Sequence, residues 1–143
     1  MSVTSLRRGD VQRLDQGRDV RKVGIDPDFW YPLARASELK PGKTLGVSFA
    51  GEPIVLVRTA EGGVFALEDR CAHRQVPLHL GVVKGERLLC SYHCWAYDRT
   101  GHCVNVPYLD EGKTLPNGVR GYPTREAYGF IFVFPGDRTK AET

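Results

Sequence analysis

No stretch of this chain is apolar for long enough to cross a bilayer. Its longest apolar run, Phe130–Phe134, holds five residues, where a spanning helix needs roughly twenty. No charged-then-apolar leader opens the chain, so a secretory signal has no support. An excess of charge of one sign is also missing: 20 Lys and Arg face 17 Asp and Glu, and the net charge of +3 is too mild for a nucleic-acid footprint. No internal repeat or low-complexity tract is visible. Histidine is scarce, with four in the whole chain, which limits how many metal or acid–base sites it can build. These absences predict a soluble, cytoplasmic protein that engages neither membrane nor nucleic acid. Without a secretory signal, the four Cys point to metal binding rather than a disulfide framework.

What is present is ordinary in bulk and specific in detail. At 143 residues, with 41% apolar and 26% charged positions, the chain fits one globular domain able to bury about two thirds of its unfolded surface. Residues 1–28 read as a flexible charged leader, since Arg7, Arg8, Arg13, Arg18, Arg21 and Lys22 interleave with Asp10, Asp15, Asp19, Asp26 and Asp28. Packing texture starts at Phe29-Trp30-Tyr31, which opens a domain over 29–136, and residues 137–143 read as a polar tail or the start of a linker. Within the domain, Ser37–Leu39 reads as a short helical turn. Strands are predicted at Leu45–Phe49, Ile54–Arg58, Val64–Glu68, Arg87–Cys90, Trp95–Asp98, Cys103–Val106, Thr124–Ala127 and Phe130–Phe134. A Gly62-Gly63 turn joins the second and third of these as a hairpin. Many short strands punctuated by 16 Gly and 9 Pro predict an all-β fold, a small antiparallel sandwich or barrel.

The chemistry concentrates in four residues. Cys71 and His73 stand as C-x-H, and Cys90 and His93 as C-x-x-H, with sixteen residues between the pairs. Zinc also accepts two Cys and two His, but its usual knuckles separate paired ligands by two to four residues. Here one pair is separated by a single residue, and each pair mixes thiolate with imidazole. That suits a two-iron centre, with Cys71 and Cys90 on one iron and His73 and His93 on the other; a structural zinc site is the alternative. Four thiolates leave an oxidised [2Fe–2S] cluster a dianion, whereas two neutral imidazoles bring it to neutrality and make reduction easier. The pairs fall in loops of the β framework, so the predicted fold includes a two-loop [2Fe–2S] cluster-binding subdomain with one cluster per chain.

The stretch Cys71-Ala72-His73-Arg74 to Cys90-Ser91-Tyr92-His93-Cys94-Trp95, framed by Phe29-Trp30-Tyr31-Pro32-Leu33, Pro77-Leu78, Gly81 and Tyr128–Val133, resembles the Rieske [2Fe–2S] domain of the Rieske-type non-haem iron oxygenases. The resemblance covers about residues 29–136. It implies Cys71, His73, Cys90 and His93 as the metal ligands, with Arg74, Tyr92, Cys94 and Trp95 around them; Tyr97 either packs or hydrogen-bonds nearby or is a core aromatic of the sheet. The respiratory and photosynthetic relatives carry an extra Cys in each ligand loop. Val76 in the first loop and Ser91 in the second leave no such bridge here, and Trp95 cannot supply the serine hydroxyl that raises their potential. A low-potential cluster, on the order of −150 mV, is therefore expected. The family's usual Gly after the second His is Cys94 here, read as a small buried side chain; a disulfide with Cys103 and ligand exchange on oxidation are the alternatives.

Full-length members add a catalytic domain whose mononuclear iron needs two His and a carboxylate. After the cluster ligands only His79 and His102 remain. His79 fits no ligand position and His102 reads as a solvent-facing hairpin residue; neither has a partner pattern that would make it catalytic, and no residue is assigned a catalytic role. The resemblance thus implies one-electron transfer: the chain accepts an electron from a flavin reductase or ferredoxin and gives it to a mononuclear iron in another domain or subunit, as the N-terminal domain of an oxygenase terminal component. A free-standing Rieske-type ferredoxin and a zinc-stabilised binding module are the alternatives.

Overall fold

The computed structural model describes residues 26–72, 76–91, 94–107 and 114–141. Eleven strands fill these segments. β1 (Tyr31–Arg35), β2 (Thr44–Phe49), β3 (Glu52–Arg58) and β4 (Val64–Glu68) come first. β5 (Val82–Lys84), β6 (Arg87–Leu89), β7 (Ala96–Tyr97) and β8 (Cys103–Asn105) follow, and β9 (Gly121–Tyr122), β10 (Thr124–Ala127) and β11 (Phe130–Val133) close the domain. They pair antiparallel in three sheets of order β1-β11-β10, β2-β3-β4-β9 and β5-β6-β7-β8. The all-β expectation holds. Among the described residues, no helix is long and apolar enough to cross a membrane.

The run Ile54-Val55-Leu56-Val57 explains the layering. Each of its four side chains is fully buried, although a half-solvated strand would alternate with polar residues. Continuous apolar sequence marks a strand covered on both faces. Side chains of a strand alternate between faces, and here the two faces enter different cores. Val55 and Val57 pack with Phe65, Leu67, Leu78 and Leu88. Ile54 and Leu56 pack with Leu39, Tyr122, Ile131 and Val133. The sheet of β2, β3, β4 and β9 is therefore the middle layer, with β5–β8 supplying one cover and β1, β10 and β11 the other.

Local chemistry sets the turns. β2 meets β3 through Ala50 (φ +49°) and Gly51 (φ +87°), and β10 meets β11 through Tyr128 (φ +56°) and Gly129 (φ +80°). Two consecutive positive φ values give the two-residue hairpin whose twist matches its strands. The five-residue turn between β3 and β4 is stitched by Gly62 N–H to the Thr59 carbonyl (3.0 Å) and Thr59 N–H to the Gly63 carbonyl (2.8 Å). It hangs on Arg58, a nearly buried guanidinium that donates to the carbonyls of Leu39 (2.7 Å), Gly62 (3.0 Å) and Ala36 (3.3 Å) and pairs with Glu126 (3.0 Å).

The two ends of the described chain lie against each other. Asp28 accepts from the Asp137 N–H at 2.7 Å and pairs with Lys140 at 3.2 Å. Trp30 donates from Nε1 to the Ala141 carbonyl at 3.1 Å, stacks edge-on to Phe134 and lies beneath the Arg125 guanidinium. Residues 137–141, read from the sequence as a polar tail, form a short 3₁₀ turn over Arg138–Lys140 that ends in a buried Ala141. Residues 1–25 of the charged leader lie outside the described residues.

Candidate metal centre

β4 runs directly into the first predicted ligand loop, and the second joins β6 to β7. Both loops close in the same way. The Cys71 N–H donates to the Val76 carbonyl at 2.7 Å, and the Cys90 N–H donates to the Trp95 carbonyl at 2.8 Å. Each predicted cysteine ligand thus opens a six-residue loop tied from its own amide to the carbonyl five positions on. Cys94 N–H to the Cys90 carbonyl (3.0 Å) tightens the second loop further. The predicted ligands His73 and His93, and their neighbours Arg74 and Tyr92, lie outside the described residues.

Cys71 and Cys90 are each 2% exposed and share one core with Leu78, Leu88 and Tyr97, against which Val76 and Trp95 pack. Tyr97 is fully buried, and its Oη sits 3.2 Å from Cys71 Sγ and 3.0 Å from the Ala72 N. An amide N–H can only donate, so Oη accepts from Ala72; between Oη and Cys71 Sγ either atom can donate, and a metal-bound thiolate, which can only accept, would leave the phenol as the donor. Burial, and then the hydrogen bond with Cys71, pushes the Tyr97 phenol well above its ordinary range, which holds it protonated. The donor set fits the predicted cluster: two buried thiols, each at the start of a similarly tied loop, with a phenol aimed at one of them. The sequence left Tyr97 between a core aromatic and a neighbour of the site; in the structure it is both, fully buried and bonded to the Cys71 segment.

One sequence expectation changes. Cys94 is exposed rather than buried, at φ +59°. It sits in a left-handed conformation that its Cβ disfavours. Cys103 is buried, its thiol pushed up chiefly by burial, and all four cysteines are free, so the alternative of a Cys94–Cys103 disulfide is not realised. His79, which fits no ligand position in the sequence, is bonded through its backbone and ring to Asp69. His102 sits in the β7–β8 hairpin as expected, with its amide on Asp98 Oδ1 (3.1 Å) and its Nδ1 at 2.6 Å from Thr100 Oγ1. An open cavity of about 240 Å³ lined by Phe49, Ile54, Arg120 and Tyr122 shares no lining residue with either ligand loop.

Comparison with known proteins agrees with this geometry. Residues 29–123 match the family model described as the Rieske [2Fe-2S] domain. The 4beta-methylsterol monooxygenase of Methylococcus capsulatus is 42% identical over 141 residues, covering 96% of this chain and 38% of that protein. The 3-chlorobenzoate-3,4-dioxygenase oxygenase subunit of Comamonas testosteroni is 33% identical over 137 residues, covering 94% of this chain and 32% of the subunit. Among solved structures, the terminal oxygenase of carbazole 1,9a-dioxygenase from Nocardioides aromaticivorans superposes with a TM-score of 0.72 at 37% identity, over 80% of this chain and 32% of that one. The chain spans about a third of the length of these proteins.

Proposed function

This chain belongs to the Rieske [2Fe–2S] domain family, and from that premise we propose that it carries single electrons to a mononuclear non-haem iron, as the N-terminal domain of an oxygenase terminal component. One observation carries the reading: two buried thiols, Cys71 and Cys90, open similarly tied loops in a single core and one of them is faced by the Tyr97 hydroxyl. When bound, the [2Fe–2S] cluster supplies reversible one-electron chemistry at a potential above that of an all-thiolate centre.

The protein's own residues do the rest. Cys71 and Cys90 hold the buried side of the site, where apolar packing from Leu78 and Leu88 excludes water. Tyr97 donates to the Cys71 sulfur and so favours the state in which that sulfur carries more charge. Trp95 stands where a hydroxyl donor would raise the potential further, which keeps this domain at the low end of its family's range. His73 and His93 complete the ligand set. The second ring N–H of each is then free to reach a carboxylate beside the acceptor iron, which makes the histidine side the exit. The electron donor is a flavin reductase or a ferredoxin. The oxygenase names of the relatives support an acceptor of the mononuclear-iron class.

Electron paramagnetic resonance of the dithionite-reduced protein, with a potential titration, tests the reading. A rhombic reduced-cluster signal titrating near the low end of the Rieske range is expected. A colourless protein containing stoichiometric zinc would overturn it in favour of the binding module.

A further inference from the structure

The two ligand loops are anchored differently. The second runs from β6 to β7, neighbours in one sheet, and the pairs Leu88–Tyr97 and Leu89–Ala96 lie across its base. The first runs from β4, in the middle sheet, to β5, in the outer one. No strand ladder can close a loop whose two flanking strands belong to different sheets. Beyond the Cys71–Val76 bond, something else has to fix where the loop ends.

Asp69 and His79 stand at that position, one before Cys71 and the other past Val76. Asp69 is 7% exposed, and a buried carboxylate must find hydrogen-bond donors. Both of its oxygens are used by one residue: Oδ1 accepts from the His79 N–H at 2.8 Å, and Oδ2 lies 2.6 Å from His79 Nδ1. The His79 carbonyl accepts from Thr44 Oγ1 at 2.6 Å. The imidazole lies against β2 at Gly46, where a Cβ would come within 2.9 Å of Nδ1 and 3.0 Å of Cγ. His79 is therefore held at its amide, its carbonyl and its ring, by the end of β4 on one side and by β2 on the other. The residue between this anchor and the inner bond that packs most deeply is Leu78, fully buried beside both thiols.

We propose that Asp69 and His79 act as a positioning strut, a side-chain rung that replaces the missing strand ladder across the first ligand loop and fixes the Cys71 side of the metal centre. This rests on the cluster reading above. The rung needs a flat side chain that carries a donor at the Nδ1 position and tolerates contact with Gly46. Asparagine places an amide nitrogen at nearly the same point, whereas alanine leaves the Asp69 oxygen without its ring donor.

The test uses the cluster-loaded full chain. Cluster loss is followed by bleaching of the visible absorption in excess chelator, and line width by electron paramagnetic resonance of the reduced protein, for wild type, His79→Ala, His79→Asn and Gly46→Ala. Loss of a group that orients a metal ligand costs about tenfold or more in metal retention. His79→Ala should therefore release its cluster about tenfold faster with a broadened signal, and His79→Asn should recover most of the wild-type rate. Gly46→Ala, which presses on the ring without removing a bonding atom, should fall between them, and it keeps the test decisive if His79→Ala fails to fold. Wild-type release rates and line widths in His79→Ala, or equal defects in the alanine and asparagine variants, would overturn the strut. If His79→Ala does not fold, wild-type behaviour of Gly46→Ala would overturn it. A wild-type protein with no iron–sulfur absorption would overturn the cluster reading instead.

Discussion

Replacing Tyr97 by Phe removes one oxygen and leaves the buried ring in place, so the variant isolates a single hydrogen bond. That bond runs from Oη to Cys71 Sγ over 3.2 Å, and Oη in turn accepts from the Ala72 N–H at 3.0 Å. A hydrogen bond to a charged acceptor is worth about 1.5–3 kcal/mol. The bond exists in both oxidation states, however, and only the difference between them moves the potential. If a third to a half of it is gained on reduction, when the sulfur carries more negative charge, the differential is about 0.5–1.5 kcal/mol. A tenfold change in a one-electron equilibrium, about 1.4 kcal/mol, corresponds to ~59 mV. Tyr97→Phe should therefore lower the midpoint potential by about 20–60 mV. Spectroelectrochemical titration at neutral pH measures this directly. Tyr122→Phe, a buried phenol of the other core, serves as a control that should leave the potential in place. An unchanged or raised potential in Tyr97→Phe, with the cluster intact, would refute the assignment of Tyr97 as donor.

Other outcomes follow from the same packing. Arg58→Met strips three backbone carbonyls of their donor and should cost about 3 kcal/mol in urea unfolding. Glu126→Gln removes only a half-exposed partner and should cost under about 1 kcal/mol. Cys94→Gly should raise Tm by relieving about 1 kcal/mol of left-handed strain, and titration of the folded protein should then find one fewer fast-reacting thiol. Burial alone would raise the Asp98 carboxyl, but hydrogen bonds from Thr100 and His102 outweigh it and hold the group below its usual range. A carboxyl depressed in the folded state contributes stability above its unfolded pKa, near ~3.9, that disappears as pH falls through the folded value. The Tm gap between wild type and Asp98→Ala should thus be full at pH 6 and shrink below about pH 4; a gap independent of pH would remove the carboxylate from that role.

The strands legible in the sequence were those with an apolar or β-branched signal. Val64–Glu68 and Thr124–Ala127 coincide with β4 and β10, and the Gly62-Gly63 hairpin pairs Arg58 with Val64 as expected. Three strands were not predicted, because each was too short or too interrupted for its residues to mark it. β1 contains Pro32, which cannot donate to a ladder and is tolerated because β1 is an edge strand with an irregular register after Pro32. β5 and β9 are short, and β9 begins with a glycine, so pairing with β6 and β4 rather than propensity makes them strands. At the metal centre, residue types and spacing singled out four candidate ligands, of which the structure describes Cys71 and Cys90, both buried in one core. The Asp69–His79 contact was hidden because it spans ten residues and joins two positions outside any strand, neither of which stands in a periodic pattern. The exposure of Cys94 was missed because small thiols pack inward by default, whereas a left-handed loop residue points where its backbone directs it.

The latch between the ends of the described chain has a mechanical consequence. Asp28, Trp30, Asp137, Lys140 and Ala141 hold the two termini of the fold side by side. A Cβ on Gly136 would stand 2.0 Å from Asp28 Oδ1, so the segments meet too closely for any side chain there. Tension applied through residues 26 and 141 would first shear this latch. Cys71 and Cys90 lie outside that load path, so such tension would part a few surface bonds before it disturbed their spacing.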